Sequence, residues 1–149
     1  MSSAKVLISD YVLEIDGVRY RHHQHGGGLV AETAAVANSA FVHVRAIVKG
    51  KAMVLESARI MDTAGVTDNA VISGNAVVAG SALVGGNARV SENAQVSGDT
   101  EIEGGAHISG NARISGSAWI GGRLKIAGKT RVERGKHTRK ATLPEAAAS

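Results

Sequence analysis

Histidines are the side chains of this chain best suited to acid–base or metal chemistry. The chain has six of them and no cysteine, which excludes disulfides, thiolate metal sites and cysteine nucleophiles. His43 and His107 are the candidate general bases, because a neutral imidazole can accept a proton near neutral pH. Neither lies in a recognisable catalytic motif, so a surface or packed histidine is the commoner explanation for both.

A second group of histidines, His22, His23 and His25, has the residue type that many metal ions prefer. They precede Gly26-Gly27-Gly28, and no nearby carboxylate would orient the imidazole rings. We therefore expect residues 21–28 to form a flexible junction whose metal binding is adventitious. No metal site and no cofactor is predicted.

Positive charge is concentrated near the carboxyl end. Residues 123–140 carry eight Lys or Arg and one acid, although the formal net charge of the whole chain is +4. We predict a surface here for an unidentified protein or acidic ligand. Binding of nucleic acid is poorly supported, because Trp119 is the one aromatic residue nearby. Sites for single-stranded nucleic acid stack the bases on several aromatic side chains. A solvated tail is the alternative. The candidate partner-binding residues are Trp119, Arg113, Arg131, Arg134, Lys136, Arg139 and Lys140.

A six-residue repeat must position these side chains. Every sixth residue from Val36 to Val132 is Val or Ile, and the residue two before each is Ala except at Thr100, Leu124 and Thr130. Residues two apart share one face of a strand, so we expect both series to point inward. Pairs such as Gly74-Asn75 and Gly110-Asn111 separate the strands, and both residue types tolerate the positive φ of a tight corner. The pattern predicts a parallel β-helix with strands about 4.8 Å apart.

Outward positions divide the repeat into an apolar first half and a polar second half. Exposed apolar side chains in such number favour a covered surface, so we predict that the N-terminal segment, neighbouring subunits or both contact them. Scattered surface hydrophobics are the alternative. The predicted oligomer or cap interface comprises Phe41, Ile47, Met53, Leu55, Met61, Val71, Val77 and Leu83.

The segment before the repeat has the pattern of a β-hairpin. Residues 6–8 and 11–15 have the alternation of strands, and Asp16-Gly17 forms a typical hairpin turn into residues 18–20. Since Asp10 and Glu14 interrupt any apolar run, neither a signal peptide nor a membrane span is predicted, and we expect a cytoplasmic protein.

The motif Ile108-Ser109-Gly110-Asn111-Ala112-Arg113-Ile114 resembles the hexapeptide-repeat superfamily over about residues 31–132. The resemblance implies a left-handed, three-sided parallel β-helix of five to six coils, with homotrimers common among the enzymes. It also implies two activities to test, CoA-dependent acyl transfer and zinc-dependent hydration of carbon dioxide. The repeat has neither an extruded loop for the first nor the histidine ligands for the second. The lead-in Gly27-Gly28-Leu29-Val30 resembles a bacterial and phage subgroup without a clear function.

Together these patterns predict an all-β protein in three parts. Residues 1–30 form a hairpin and a Gly/His-rich junction, residues 31–132 form the β-helix, and residues 133–149 form a basic tail. The expected function is a non-catalytic, oligomeric binding or structural module, with a homotrimer favoured and a phage protein acting on a host component as one example. The alternative is a trimeric CoA-dependent acyltransferase.

Overall fold

Strands are the regular elements of this protein, as the repeat predicted. The computed structural model describes residues 4–5, 13–137 and 142–143, and it describes side chains for residues 13–133. No helix within these ranges is long and apolar enough to span a bilayer. The chain is an all-β, parallel-strand β-solenoid of about six coils.

The strands of the solenoid stack in three ladders, named here I, II and III. Ladder I consists of β5 (Ala35–Val36), β8 (Met53–Val54), β11 (Val71–Ile72), β14 (Arg89–Val90), β17 (His107–Ile108), β19 (Lys125–Ile126) and β21 (Thr142–Leu143). Ladder II consists of β6 (Phe41–Val42), β9 (Arg59–Ile60), β12 (Val77–Val78), β15 (Gln95–Val96), β18 (Arg113–Ile120) and β20 (Arg131–His137). Ladder III consists of β4 (Leu29–Ala31), β7 (Ile47–Val48), β10 (Gly65–Val66), β13 (Leu83–Val84) and β16 (Glu101–Ile102), followed by the second halves of β18 and β20.

Successive rungs of each ladder are eighteen residues apart. Val71 pairs with Met53 on one side and with Arg89 on the other, and the other solenoid rungs up to Val132 repeat this spacing. One coil therefore takes three hexads and adds one strand to each ladder. The hand of the coil stays a prediction.

The inward residues form one continuous apolar core. Each Val or Ile of the series from Val42 to Val132 is at most 1% exposed, which confirms the inward assignment. Val36 is half-buried, because its strand lies at the open edge of ladder I. The buried Thr100 and Thr130 replace Ala, and each hydroxyl donates to a carbonyl three residues earlier at 2.7 Å, so neither polar group is left unsatisfied.

The corners between strands need a left-handed backbone at one fixed position. From Gly50 to Gly128 this position is the first residue of the corner pair, as in Gly74 and Gly110, both with φ of 64°. The second residue, Asn75 or Asn111, does not have a positive φ, so the expectation that Asn supplies this conformation is wrong. Where this left-handed residue is not Gly it is acidic: the four are Glu56, Asp62, Asp68 and Glu92. In the first coil, the corresponding residues Asn38 and Val44 do not have a positive φ.

Three of these acids bond to the next coil. The N–H groups of Gly74, Gly80 and Gly86 donate to the carboxylates of Glu56, Asp62 and Asp68 respectively, each at 2.9 Å. The left-handed conformation costs an L-residue about 1–2 kcal/mol. The bond to a backbone N–H of the following coil offsets part of that cost and fixes the coils against each other.

The N-terminal hairpin extends ladder III beyond the first coil. Strands β1 (Ala4–Lys5), β2 (Leu13–Ile15) and β3 (Val18–His22) are antiparallel, and β3 pairs with β4. Positive φ angles at Asp16 and Gly17 confirm the predicted turn. Residues 6–12, which include the predicted strand at residues 6–8, lie outside the described residues. The hairpin adds rungs at the end of the solenoid, and Met53 and Leu83 remain 39% and 41% exposed beyond it.

The last coil departs from the eighteen-residue spacing. Ile114 pairs with Val132, eighteen residues on, whereas Ser117 pairs with Arg134, seventeen residues on. One residue is therefore missing at this corner, and the six-residue period ends here. Strand pairing nevertheless includes residues 133–137 and Thr142–Leu143, so the solenoid extends beyond residue 133, where we expected the tail to begin.

Candidate functional site

The two candidate general bases lie in different parts of the solenoid. His43 is half-buried near the N-terminal end, and its Nδ1 accepts the N–H of Arg45 at 3.2 Å. His107 is exposed on ladder I, where its rung neighbours are Arg89 and Lys125. No carboxylate occupies a neighbouring rung to orient the His107 ring. Because His43 and His107 lie in different parts of the solenoid, the structure does not bring them into one site.

The segment expected to be a flexible junction is a packed loop. The buried His23 bonds through Nε2 to the carbonyl of Ala40 at 2.8 Å, and the Nδ1 of His22 bonds to the carbonyl of Gly27 at 2.7 Å. A Cβ at Gly26 would lie 2.2 Å from the carbonyl oxygen of Val42, so glycine is required there. Hydrogen bonds and close packing therefore fix this loop against the first coil in the structure. Among the described residues, no three His, Asp or Glu side chains lie close enough together to hold a metal ion.

The predicted partner-binding residues do not form one surface. Trp119 is half-buried on ladder III beside Glu101, whereas Arg113 and Arg131 are adjacent rungs of ladder II. Of the charged residues near Trp119 in the sequence, Glu101 is its rung neighbour, whereas Arg113 and His107 belong to ladders II and I. Arg134 and Lys136 lie in β20 with only their backbone described, and Arg139 and Lys140 lie outside the described residues.

A polar groove follows ladder II in the second half of the solenoid. Its volume is about 420 Å³, and it is lined by Asn93, Gln95, Asn111, Arg113, Lys129 and Arg131. We call it the ladder II groove. A second hollow of about 240 Å³ lies across the same row of side chains and is lined by Gln95, Ser97, Arg113, Ile114, Ser115, Arg131 and Glu133. Gln95, Arg113 and Arg131 therefore form a ridge between the two.

The eighteen-residue pairing is what brings the groove residues together. Arg113 pairs with Gln95 on one side and Arg131 on the other, and their side chains project from the same strand position. Asn93, Asn111 and Lys129 repeat at the adjoining corner with the same spacing. All six side chains are exposed. For residues 13–133, no ion pair of Arg113, Lys129 or Arg131 is observed.

Charge is separated around this half of the solenoid. The outward rungs of ladder I are Arg89, His107 and Lys125, so two adjacent ladders are cationic. Ladder III instead presents Glu101 and, two residues later, Glu103. The ladder II groove therefore lies on the positive side of the solenoid.

The apolar residues of the first half lie on all three ladders. On ladder III, Leu83 and Ile47 approach each other over Gly65: a Cβ there would lie 3.2 Å from Leu83 and 3.7 Å from Ile47. On ladder I, Met53 pairs with Val71. The remaining residues of the predicted interface, Phe41, Leu55, Met61 and Val77, are half-buried. Phe41 differs from the others, because its ring packs against Gly26 of the N-terminal loop.

Sequence reasoning missed the amide side of the groove. In the sequence, Asn111 is one residue of a corner pair and Lys129 is one of the basic residues at 123–140, and neither pattern relates them to each other. Writing the sequence in lines of eighteen would have placed these residues beside Arg113 and Arg131. The packed role of His23 had no comparable signal, because it depends on how the N-terminal loop meets the first coil.

Comparison with known proteins finds a similarity over part of the repeat. A family model described as the YdcK beta solenoid repeat matches residues 70–86, 84–98 and 106–122. Neither the curated proteins nor the solved structures contain a significant match. The matched segments are central coils and include much of the ladder II groove. Over these coils, the chain is similar to a repeat β-solenoid family.

Proposed function

We propose that the protein is a non-catalytic, homo-oligomeric binding module. Its first coils mediate assembly, and its later coils bind an acidic partner. One observation carries this proposal: the outward rungs change from apolar to charged along ladders I and III, whereas ladder II already has Arg59 between Phe41 and Val77. On ladder I the change falls between Val71 and Arg89, and on ladder III between Leu83 and Glu101. Two surfaces of such different character favour two different contacts.

The proposal includes a finer classification. The Ala-x-Val/Ile hexads and the rung spacing of eighteen residues support membership of the hexapeptide-repeat superfamily. A left-handed coil is what this membership implies. A homotrimer is the assembly that this membership favours. A phage-encoded protein that acts on a host component is the example suggested by the lead-in at residues 27–30, and a cytoplasmic location goes with it.

Assembly through the first coils follows from their exposed apolar side chains. Val44, Met53 and Leu83 are 57%, 39% and 41% exposed, and half-buried apolar residues adjoin them. Removing apolar area from water is favourable by about 25 cal/mol per Å². A second copy is the occupant that we assign, because the described part of the N-terminal hairpin leaves Met53 and Leu83 uncovered.

We expect Leu83→Glu and Met53→Glu to dissociate the oligomer, because each would place an unpaired charge in the contact. Both side chains point outward, so the fold should persist. Gln95→Glu is the matched control, since it adds the same charge at an exposed rung of the other half. Native mass spectrometry and light scattering after gel filtration would measure the oligomeric state at several protein concentrations.

A wild-type chain that stays monomeric at every concentration would contradict the assembly proposal. So would Leu83→Glu and Met53→Glu variants with wild-type oligomeric states. An oligomer purified with additional mass equal to CoA or an acyl-CoA would replace the binding module with the acyltransferase alternative.

A further inference from the structure

The ladder II groove holds three cations that make no ion pair with the side chains of residues 13–133, although Glu133 lines the adjoining hollow with Arg113 and Arg131. Arg113 and Arg131 occupy neighbouring rungs, which are about 4.8 Å apart in a β-ladder. Lys129 precedes Arg131 by two residues and lines the same groove. Like charges on neighbouring strands repel each other. Since none of the six lining residues is acidic, an anion from solution or from a ligand would relieve this repulsion.

The opposite end of the groove offers both hydrogen-bond donors and acceptors. Asn93, Gln95 and Asn111 carry side-chain amides, each of which has an acceptor oxygen and a donor nitrogen. Asn75 Nδ2 donates to Asn93 Oδ1 at 3.5 Å, which shows that amides eighteen residues apart align along this corner. Groups that both donate and accept, such as hydroxyls, match this end of the groove.

The composition and the size of the groove restrict the ligand further. None of its described lining residues is aromatic, so these residues offer no platform for stacking a nucleobase. Its volume of about 420 Å³ lies in the range of sites for small molecules. The six described lining residues include no apolar side chain that would favour an acyl chain or a hydrophobic peptide.

We infer that the ladder II groove binds a small phosphate ester with a hydroxyl-rich body, the chemical class of the sugar phosphates. Arg113, Lys129 and Arg131 bind the phosphate, and Asn93, Gln95 and Asn111 bind the hydroxyls. Arginine suits this role, because its planar guanidinium binds phosphate oxygens in pairs. The inference rests on the proposed binding role of the later coils and names the ligand class for it.

Titration calorimetry of the full chain at low salt would test the inference with glucose 6-phosphate, inorganic phosphate and glucose as probes. We expect glucose 6-phosphate to bind most tightly, phosphate more weakly, and glucose without measurable heat. Arg113→Gln and Arg131→Gln should each weaken glucose 6-phosphate binding roughly tenfold, because each removes a charge-assisted hydrogen bond. In NMR spectra, the side-chain amides of Asn93 and Asn111 should shift on binding.

Two arginines provide matched controls, because both are exposed and neither lines the groove. Arg59 occupies the same ladder in the apolar half, and Arg89 lies on ladder I in the cationic half. Arg59→Gln and Arg89→Gln should leave glucose 6-phosphate affinity unchanged. Thermal melts of all four variants should match the wild type, since no buried contact is altered.

Three results would overturn the inference. Equal losses in the Arg89 and Arg113 variants would show diffuse electrostatic attraction instead of a site. Equal affinity for phosphate and glucose 6-phosphate would show an anion site without recognition of the hydroxyls. A short single-stranded DNA that displaces the sugar phosphate and binds more tightly would make nucleic acid the ligand. If a monomeric Leu83→Glu variant still bound glucose 6-phosphate, this inference would stand, because oligomerisation is measured separately.

Discussion

Arg19 and Glu32 fasten the N-terminal hairpin to the first coil. The guanidinium of Arg19 donates from Nε and from a terminal nitrogen to Glu32 Oε2, at 3.0 and 2.8 Å, and the Arg19 backbone N–H donates to Oε1 at 3.2 Å. These hydrogen bonds hold the pKa of Glu32 below its ordinary value, and the bonds from the Arg19 side chain have the largest effect. The contact therefore stabilises the fold above the ordinary glutamate pKa, and this contribution is lost as the pH falls through the lowered value.

Replacing Arg19 should raise the pKa of Glu32. In Arg19→Gln the charge and the Nε donor are removed while the backbone N–H remains, so the pKa of Glu32 should return most of the way to its ordinary value. Carbon-detected NMR titration of the Glu32 carboxyl measures it. Arg21→Gln, an exposed cation two residues away on the same strand, is the control and should leave the lowered pKa unchanged. A low pKa in both variants would contradict the role of the Arg19 side chain.

The corner is the element that decides whether a hexad can turn. At Gly98, φ is 73°, and a Cβ would lie 2.6 Å from the carbonyl oxygen of Gly116 in the next coil. Gly105 also lies at a corner, but its φ is not positive, and a Cβ there would meet only ordinary contacts at 3.8 Å. Position 98 therefore requires glycine for its positive φ and its close contact, whereas position 105 does not.

Alanine substitution should separate these two glycines. Gly98→Ala should lower the free energy of unfolding by about 1–3 kcal/mol, because it adds left-handed strain and a close contact. Gly105→Ala should change it by less than about 0.5 kcal/mol. Urea denaturation followed by circular dichroism measures both. Equal losses for the two variants would mean that the corner position does not set the requirement for glycine.

The regular elements could be predicted because each hexad repeats one local requirement. Inward residues from Val42 to Val132 followed from spacing alone, and the turn at Asp16-Gly17 followed from turn chemistry. The acidic residues with a left-handed backbone could not be predicted in this way, because the hydrogen bond to Glu56 comes from Gly74 in the next coil. The groove was missed for the same reason: contacts eighteen residues apart are visible only once the coil length is known.

The whole molecule is held together by contacts between neighbouring coils. Such solenoids have stabilities that are sums of coil and interface contributions, so the position of a defect along the axis matters. Val84 is fully buried in a central coil, whereas Val36 is half-buried at an open ladder edge. Making the same substitution at both positions therefore tests whether the effect of a defect depends on its place along the solenoid axis.

Aspartate should be far more harmful at the central position. Val84→Asp buries a charge without a partner and should cost at least about 3 kcal/mol or prevent folding. Val36→Asp leaves the new carboxylate access to water and should cost clearly less. Thermal melts and amide hydrogen exchange measure the difference, with exchange in Val84→Asp accelerated on both sides of the defect. A Val84→Asp protein that melts like the wild type would mean that residue 84 does not point inward.

The rung spacing of eighteen residues also sets which insertions the core and the ladder II groove can tolerate. Inserting one hexad at the corner of Gly104 would keep every inward Val and Ile in phase, yet it would rotate all later residues onto the next ladder. Arg113 would then leave the line of Gln95, and the groove would be divided between two sides of an intact core. Inserting three hexads would restore the alignment one coil further along. Evolution can therefore lengthen the core in steps of six, but it can keep this surface only in steps of eighteen.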